Sequence, residues 1–190
     1  MKKISLTGFL FVALLLPVVA QTKPLKENLK NYFSFLPFYV DIETMKIQLG
    51  KNAEFKFHND PNRDASKTII GTLGKDKNLN PVAFTNQLII KYSPSSNKKR
   101  KNVSVKWSIN YKLEDLPSAL FDFEKIKSNF KPYFVNSTEK KEIGQQGEQI
   151  YSTLLERDQL VLAIRMIEYN NFIHTISIEF QEVWKIPQVQ

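Results

Sequence analysis

One run constrains this fold more than any other. From Val103 to Leu113, apolar Val103, Val105, Trp107, Ile109, Tyr111 and Leu113 alternate without a break with polar Ser104, Lys106, Ser108, Asn110 and Lys112. Successive side chains of a strand point to opposite faces, so a period of two sustained this long fits a half-buried β-strand and not a helix. A strand with one wet face belongs in an antiparallel sheet whose other face is covered. Trp107 and Tyr111 fall on the apolar side, away from Lys106 and Lys112. A nucleic-acid platform needs exposed aromatics interleaved with cations on one surface, so nucleic acid is not expected as a partner.

The segment 84–92, with Leu88, Ile89, Ile90 and Tyr92, is predicted to pair antiparallel with this strand. The hairpin tip between them carries Ser96-Asn97-Lys98-Lys99-Arg100-Lys101-Asn102, with cations at four successive positions. Downstream, Asp115-Leu116-Pro117 supplies a helix start, with an acid near the cap and Pro in the first turn. Leu116, Leu120, Phe123, Ile126 and Phe130 then predict a helix laid on a sheet and ended before Pro132. Four strand-like segments follow at 135–143, 148–156, 160–169 and 172–184. Short turn-like joins, Gly144-Gln145-Gln146-Gly147, Arg157-Asp158-Gln159 and Asn170-Asn171, make them an antiparallel meander. Both alternating sets of the third segment are largely apolar, which predicts a central strand covered on two sides. In the last, Phe172, Ile176, Ile178 and Phe180 are expected in the core, with Thr175, Ser177, Glu179 and Gln181 in water.

Upstream, residues 24–35 predict a short amphipathic helix through Leu25, Leu29, Tyr32 and Phe33. Residues 45–49 and 53–57 suggest two short strands turning at Gly50-Lys51-Asn52, and 71–78 suggest a short linker. The expected class is α+β: a single antiparallel sheet with a helix packed on one face and a short N-terminal helix, forming one domain over residues 21–190.

The N-terminus bears on compartment. Lys2 and Lys3 precede an apolar run from Ile4 that ends in Val18-Val19-Ala20, the pattern of a secretory signal peptide over residues 1–20 with cleavage after Ala20. No further run of about 20 apolar residues follows, so no transmembrane segment is expected in the mature chain. The expected location is periplasmic or secreted. The chain has no Cys, which removes thiol nucleophiles, cysteine metal sites and disulfides, and leaves packing alone to hold the fold in an oxidising space. The formal charge is +8, and it falls by two when Lys2 and Lys3 leave with the signal.

Chemical motifs are sparse. Asp60, Asn62 and Asp64 reproduce the first half of a calcium loop, but the glycine and the closing glutamate are replaced by Ala65 and Gly71, so an ordinary turn is expected. His58 falls on the charged side of a strand end, where solvent is expected, and His174 on an apolar face, where a hydrogen-bonded structural role is expected. The common signatures of nucleophilic, zinc and nucleotide chemistry are missing, so neither enzymatic activity nor a cofactor is predicted. The candidate partner-binding residues are Lys98, Lys99, Arg100 and Lys101, read as either a solvated turn or a docking point for an anionic envelope component.

The order of the second half carries a resemblance. A hairpin, the helix from Pro117 to Phe130, a strand, the glycine turn Ile143-Gly144-Gln145-Gln146-Gly147-Glu148, and strands ending in Tyr169-Asn170-Asn171-Phe172-Ile173-His174-Thr175-Ile176-Ser177-Ile178 together resemble the PsbP-like superfamily, including the DcrB-like exported bacterial proteins. The likeness spans residues 84–183 and is one of topology and pattern, so no functional residues transfer with it. It implies a binding or assembly factor without catalysis. The leading expectation is an exported, non-enzymatic binding or assembly module at or near the cell envelope, its partner a protein or an anionic envelope component. The alternatives are an inhibitor or immunity-type protein that blocks an exported enzyme through a loop, and an envelope hydrolase with an unrecognised site.

Overall fold

The computed structural model describes residues 25–74, 81–94, 100–169 and 173–185. The expected signal peptide, Lys98, Lys99, the Asn170-Asn171 turn and Phe172 lie outside the described residues. The chain divides into two units, Met1–Ser34 and Phe35–Gln190. In the first, helix α1 spans residues 25–32. The Phe33 N–H donates to the Leu29 carbonyl at 2.8 Å, and the rings of Tyr32 and Phe33 meet edge-on at 5.2 Å.

The second unit opens with helix α2, Ile42–Gly50, where residues 45–49 were expected as a strand. The helix wins because Asp41 caps it: its carboxylate accepts the Thr44 N–H at 2.8 Å and the Thr44 hydroxyl at 3.0 Å. Met45 and Leu49, four residues apart, then bury on one side. Only the second expected strand forms, as β1, Phe55–Phe57. The expected linker begins inside another strand, β2, Thr68–Leu73. Gly71 is there for room, not for a turn, since a Cβ would run into the Phe55 ring and the Lys56 carbonyl.

The remaining elements are β3 (Thr85–Pro94), β4 (Arg100–Lys112), α3 (Leu116–Phe130), β5 (Asn136–Ile143), β6 (Gln149–Arg157), β7 (Leu160–Glu168) and β8 (Ile173–Lys185). The eight strands among the described residues form one sheet in the order β1-β2-β3-β4-β8-β7-β6-β5, and each pairing is antiparallel. From β4 the chain crosses along α3 to the far edge and returns strand by strand until β8 pairs with β4. The long alternating run and the last strand are therefore the centre of the sheet. Leu113 leaves the strand and opens a 3-10 turn, Leu113–Asp115, ahead of α3.

One face of the sheet is the core. Cross-strand partners share a face, so the register aligns Leu88, Trp107, Ile178 and Ile164 in one row and Ile90, Val105, Phe180 and Leu162 in the next. All eight are fully buried. Phe35 meets Trp107 edge-on at 5.4 Å, and Phe38 stacks on Phe180 at 5.9 Å, so the segment before α2 covers this face. α3 covers it too, through Ala119, Asp122, Phe123, Ile126 and Phe130. Of the expected stripe Phe123, Ile126 and Phe130 are buried, while Leu120 is 38% exposed and Asp122 takes an inward place, where it accepts the Tyr111 hydroxyl at 2.7 Å. Asp115 stands at the N-cap position, but its side chain makes no capping bond.

The opposite face is polar along β4 and β8, where Ser104 donates to Glu179 at 3.2 Å and Thr175 to Asn110 at 3.0 Å. β7 lies inside the sheet as expected, between β6 and β8. Of its second apolar set Ala163 is buried and Val161 and Ile167 are half-buried, and α3 packs on the core face.

Candidate anion-binding cleft

Of the four residues singled out at the hairpin tip, two fall within described positions, and they open β4. Arg100 and Lys101 are consecutive, so strand geometry sends them to opposite faces of the sheet. Arg100 lies opposite Lys185 of β8, which places two cations side by side at the end of the central strand pair. Lys101 lies between Pro94 of β3 and Trp184 of β8, on the core face. There it borders a cleft of about 250 Å³ together with Lys67, Tyr92, Ser66, Ser93 and Asp41. Among the described residues no carboxylate lies within ion-pair distance of Arg100, Lys101 or Lys185.

The anionic groups of the cleft are already engaged. Asp41 is bound to the first turn of α2, and those bonds, the Thr44 N–H foremost, hold its carboxyl below the usual range. Asp64 accepts the Ser66 hydroxyl at 2.6 Å and pairs with Lys67 at 2.9 Å, and its pKa drops to about 2 through these bonds. Tyr92 donates its hydroxyl to the Val40 carbonyl at 3.0 Å, and burial, then the Asp41 charge, raises it above the ordinary phenol range.

Beneath the cleft lies an aromatic cluster around a buried acid. Glu182 accepts the Trp184 indole N–H at 3.1 Å and the Tyr39 hydroxyl at 3.3 Å. Tyr39 holds a left-handed backbone with φ 62°, which a residue with a Cβ adopts only under local constraint. Its phenol is pushed far up, first by burial and then by the Glu182 charge. Phe38, Tyr39 and Tyr92 all contact the Trp184 ring. Lys67 is paired with Asp64, which leaves Lys101 as the cleft's cation with no carboxylate in ion-pair distance among the described residues, the group suited to meet an anion. The Tyr92 hydroxyl is committed to the Val40 carbonyl, and the Ser66 hydroxyl to the carboxylate of Asp64 two residues before it, an acid whose pKa of about 2 makes it a weak base.

Other singled-out residues take structural places. Asp60 and Asp64 each accept the backbone N–H two residues on, at 3.0 and 2.9 Å, which is a pair of Asx turns rather than an ion shell. Among the described residues no group of three or more His, Cys, Asp and Glu could hold a metal ion. His58 is exposed beside Thr72, while His174 is 2% exposed and bonded through Nε2 to the Leu113 carbonyl at 3.0 Å. Trp107 and Tyr111 are core residues as expected. Lys67, Tyr92 and Lys185 were not foreseen as site residues. Reading the β-branched run Thr68-Ile69-Ile70 as a strand would have brought Lys67 toward Tyr92, whose N–H donates to the Lys67 carbonyl at 2.8 Å.

Comparison with family models, with curated proteins and with solved structures finds no match to this chain. Among the described residues no helix is long and apolar enough to cross a membrane.

Proposed function

We propose that this protein is a non-enzymatic binding module that holds an anionic component of the cell envelope at the cationic end of strands β4 and β8. One observation carries the reading: Arg100, Lys101 and Lys185 gather at one end of the two central strands with no carboxylate in ion-pair distance among the described residues, and Lys101 opens onto a cleft it shares with Lys67. The basic residues Lys98 and Lys99 precede Arg100 in sequence. The envelope location rests on the expected signal peptide. The non-enzymatic part rests on the sequence, which carries none of the common signatures of nucleophilic, zinc or nucleotide chemistry.

Co-sedimentation with vesicles containing phosphatidylglycerol tests this at rising salt. Exposed charges are screened over about 10 Å at 0.1 M ionic strength, so binding should fall steeply as salt rises. Replacing Lys98, Lys99, Arg100 and Lys101 together by Ser should weaken it further. Unchanged association of that variant would sink the proposal.

A further inference from the structure

We propose that β5 accepts an extended segment of a partner protein, one that sets an acid against Lys141, as a further strand of the sheet. β5 is the last strand in the order, paired on one side only, with β6. All 8 of its residues are exposed, and among the described residues no element covers its outer edge. The other edge strand, β1, has only 3 residues. A strand edge presents a row of unpaired N–H and C=O groups that another chain can complete.

Charge on an edge is the usual guard against indiscriminate pairing, and β5 carries Glu139, Lys140, Lys141 and Glu142. Such a guard selects partners rather than excluding all of them, and the core-face row of β5 shows which. That row is Ser137, Glu139, Lys141 and Ile143, by register with Leu155, Thr153, Tyr151 and Gln149. Glu139 is satisfied, bound to Lys131 at 3.1 Å and Lys127 at 3.5 Å, and these cations hold its pKa down. Lys141 is not: it sits over the Tyr151 ring at 4.9 Å with no carboxylate in ion-pair distance among the described residues. Ile143 is 77% exposed. Between α3 and β5–β6 a cleft of about 290 Å³, lined by Phe123, Lys127, Glu139, Lys141, Tyr151 and Thr153, gives the incoming side chains room. Residues opposite one another across a pair of strands share a face. The segment that fits therefore carries an acid opposite Lys141, an apolar residue opposite Ile143 and no acid opposite Glu139.

Two peptides probe this: acetyl-Thr-Val-Thr-Glu-Thr-Lys-Thr-amide, which in antiparallel register sets Glu against Lys141 and Val against Ile143, and the same peptide with Glu and Lys exchanged. Amide hydrogen exchange of residues 136–143 and titration by NMR read the outcome. The first peptide should protect β5 amides and bind about three- to tenfold more tightly than the second, the range that two cross-strand charge pairs supply. Lys141→Glu, at an exposed site, should abolish the preference, because each peptide then makes one favourable and one unfavourable charge pair. The proposal is overturned if neither peptide protects β5 at millimolar concentration, or if Lys141→Glu leaves the preference unchanged. Protection that grows with protein concentration in the absence of peptide, with dimers in sedimentation, would overturn it too, by giving the edge to a second copy of the chain.

Discussion

Asp41 ties the start of α2 to the mouth of the cleft. Its hydrogen bonds to Thr44 favour the ionised carboxylate, which is why its pKa is lowered. An acid with a depressed folded pKa adds stability that is present above its unfolded pKa, about 3.9, and is lost as pH falls through the lower folded value. Asp41→Ala should therefore cost about 1 kcal/mol in urea unfolding at pH 7, as lost caps do. The gap from wild type should narrow as the pH drops below about 4. A gap of constant size from pH 7 to pH 3 would show that the carboxylate charge has no part in the cap. A second residue-scale prediction concerns the buried pair under α3, where Tyr111 donates to Asp122 at 2.7 Å and both are buried. Tyr111→Phe removes a donor from a buried carboxylate and should cost about 1–3 kcal/mol, measured by thermal or urea unfolding at neutral pH.

Elements were legible where a pattern repeats and where nothing local competes with it. The alternation in β4 and the turn-spaced meander β5 to β8 read directly as strands because burial on one sheet face imposes the period of two. α2 was not legible in that way, because Met45, Ile47 and Leu49 alternate like a strand while Asp41 and Thr44 start a helix, and the cap prevails. β2 was hidden by Gly71, which looks like a breaker in sequence but stands in mid-strand because the Phe55 ring fills the space of its missing side chain. In α3 the element agreed, and the expected face agreed at Phe123, Ile126 and Phe130 but not in the first turns. Leu120 belonged to the expected stripe, yet Ala119 and Asp122 are the residues turned inward. The two faces predict different costs. Phe130→Ala, at a fully buried site, should lose about 3–5 kcal/mol, whereas Leu120→Ala should lose about 1 kcal/mol or less because much of that side chain is already in water. Equal losses in denaturant titrations of the two variants would contradict the observed orientation.

At the scale of the whole molecule, the sequence showed that cations cluster in the β3–β4 hairpin but not which others join them. Lys67 and Lys185 reach that end of the sheet only through the pairing of β2 with β3 and of β8 with β4, and register of this kind is a tertiary property. The assembled geometry makes a prediction that composition cannot. A basic chain, at +8, is drawn to any anionic surface by its net charge alone, and such attraction depends little on where the charges lie. A localised site depends on position. Lys67→Ala with Lys101→Ala removes two charges at the cleft, and Lys140→Ala with Lys141→Ala removes two from β5, four strand spacings or about 19 Å from β4. That separation is about two screening lengths at 0.1 M salt. Vesicle binding at that ionic strength should fall by up to about thirtyfold for the first pair, two lost contacts at roughly 1 kcal/mol each, and stay close to wild type for the second. Equal losses for the two pairs would assign the attraction to net charge and leave the cleft without a binding role.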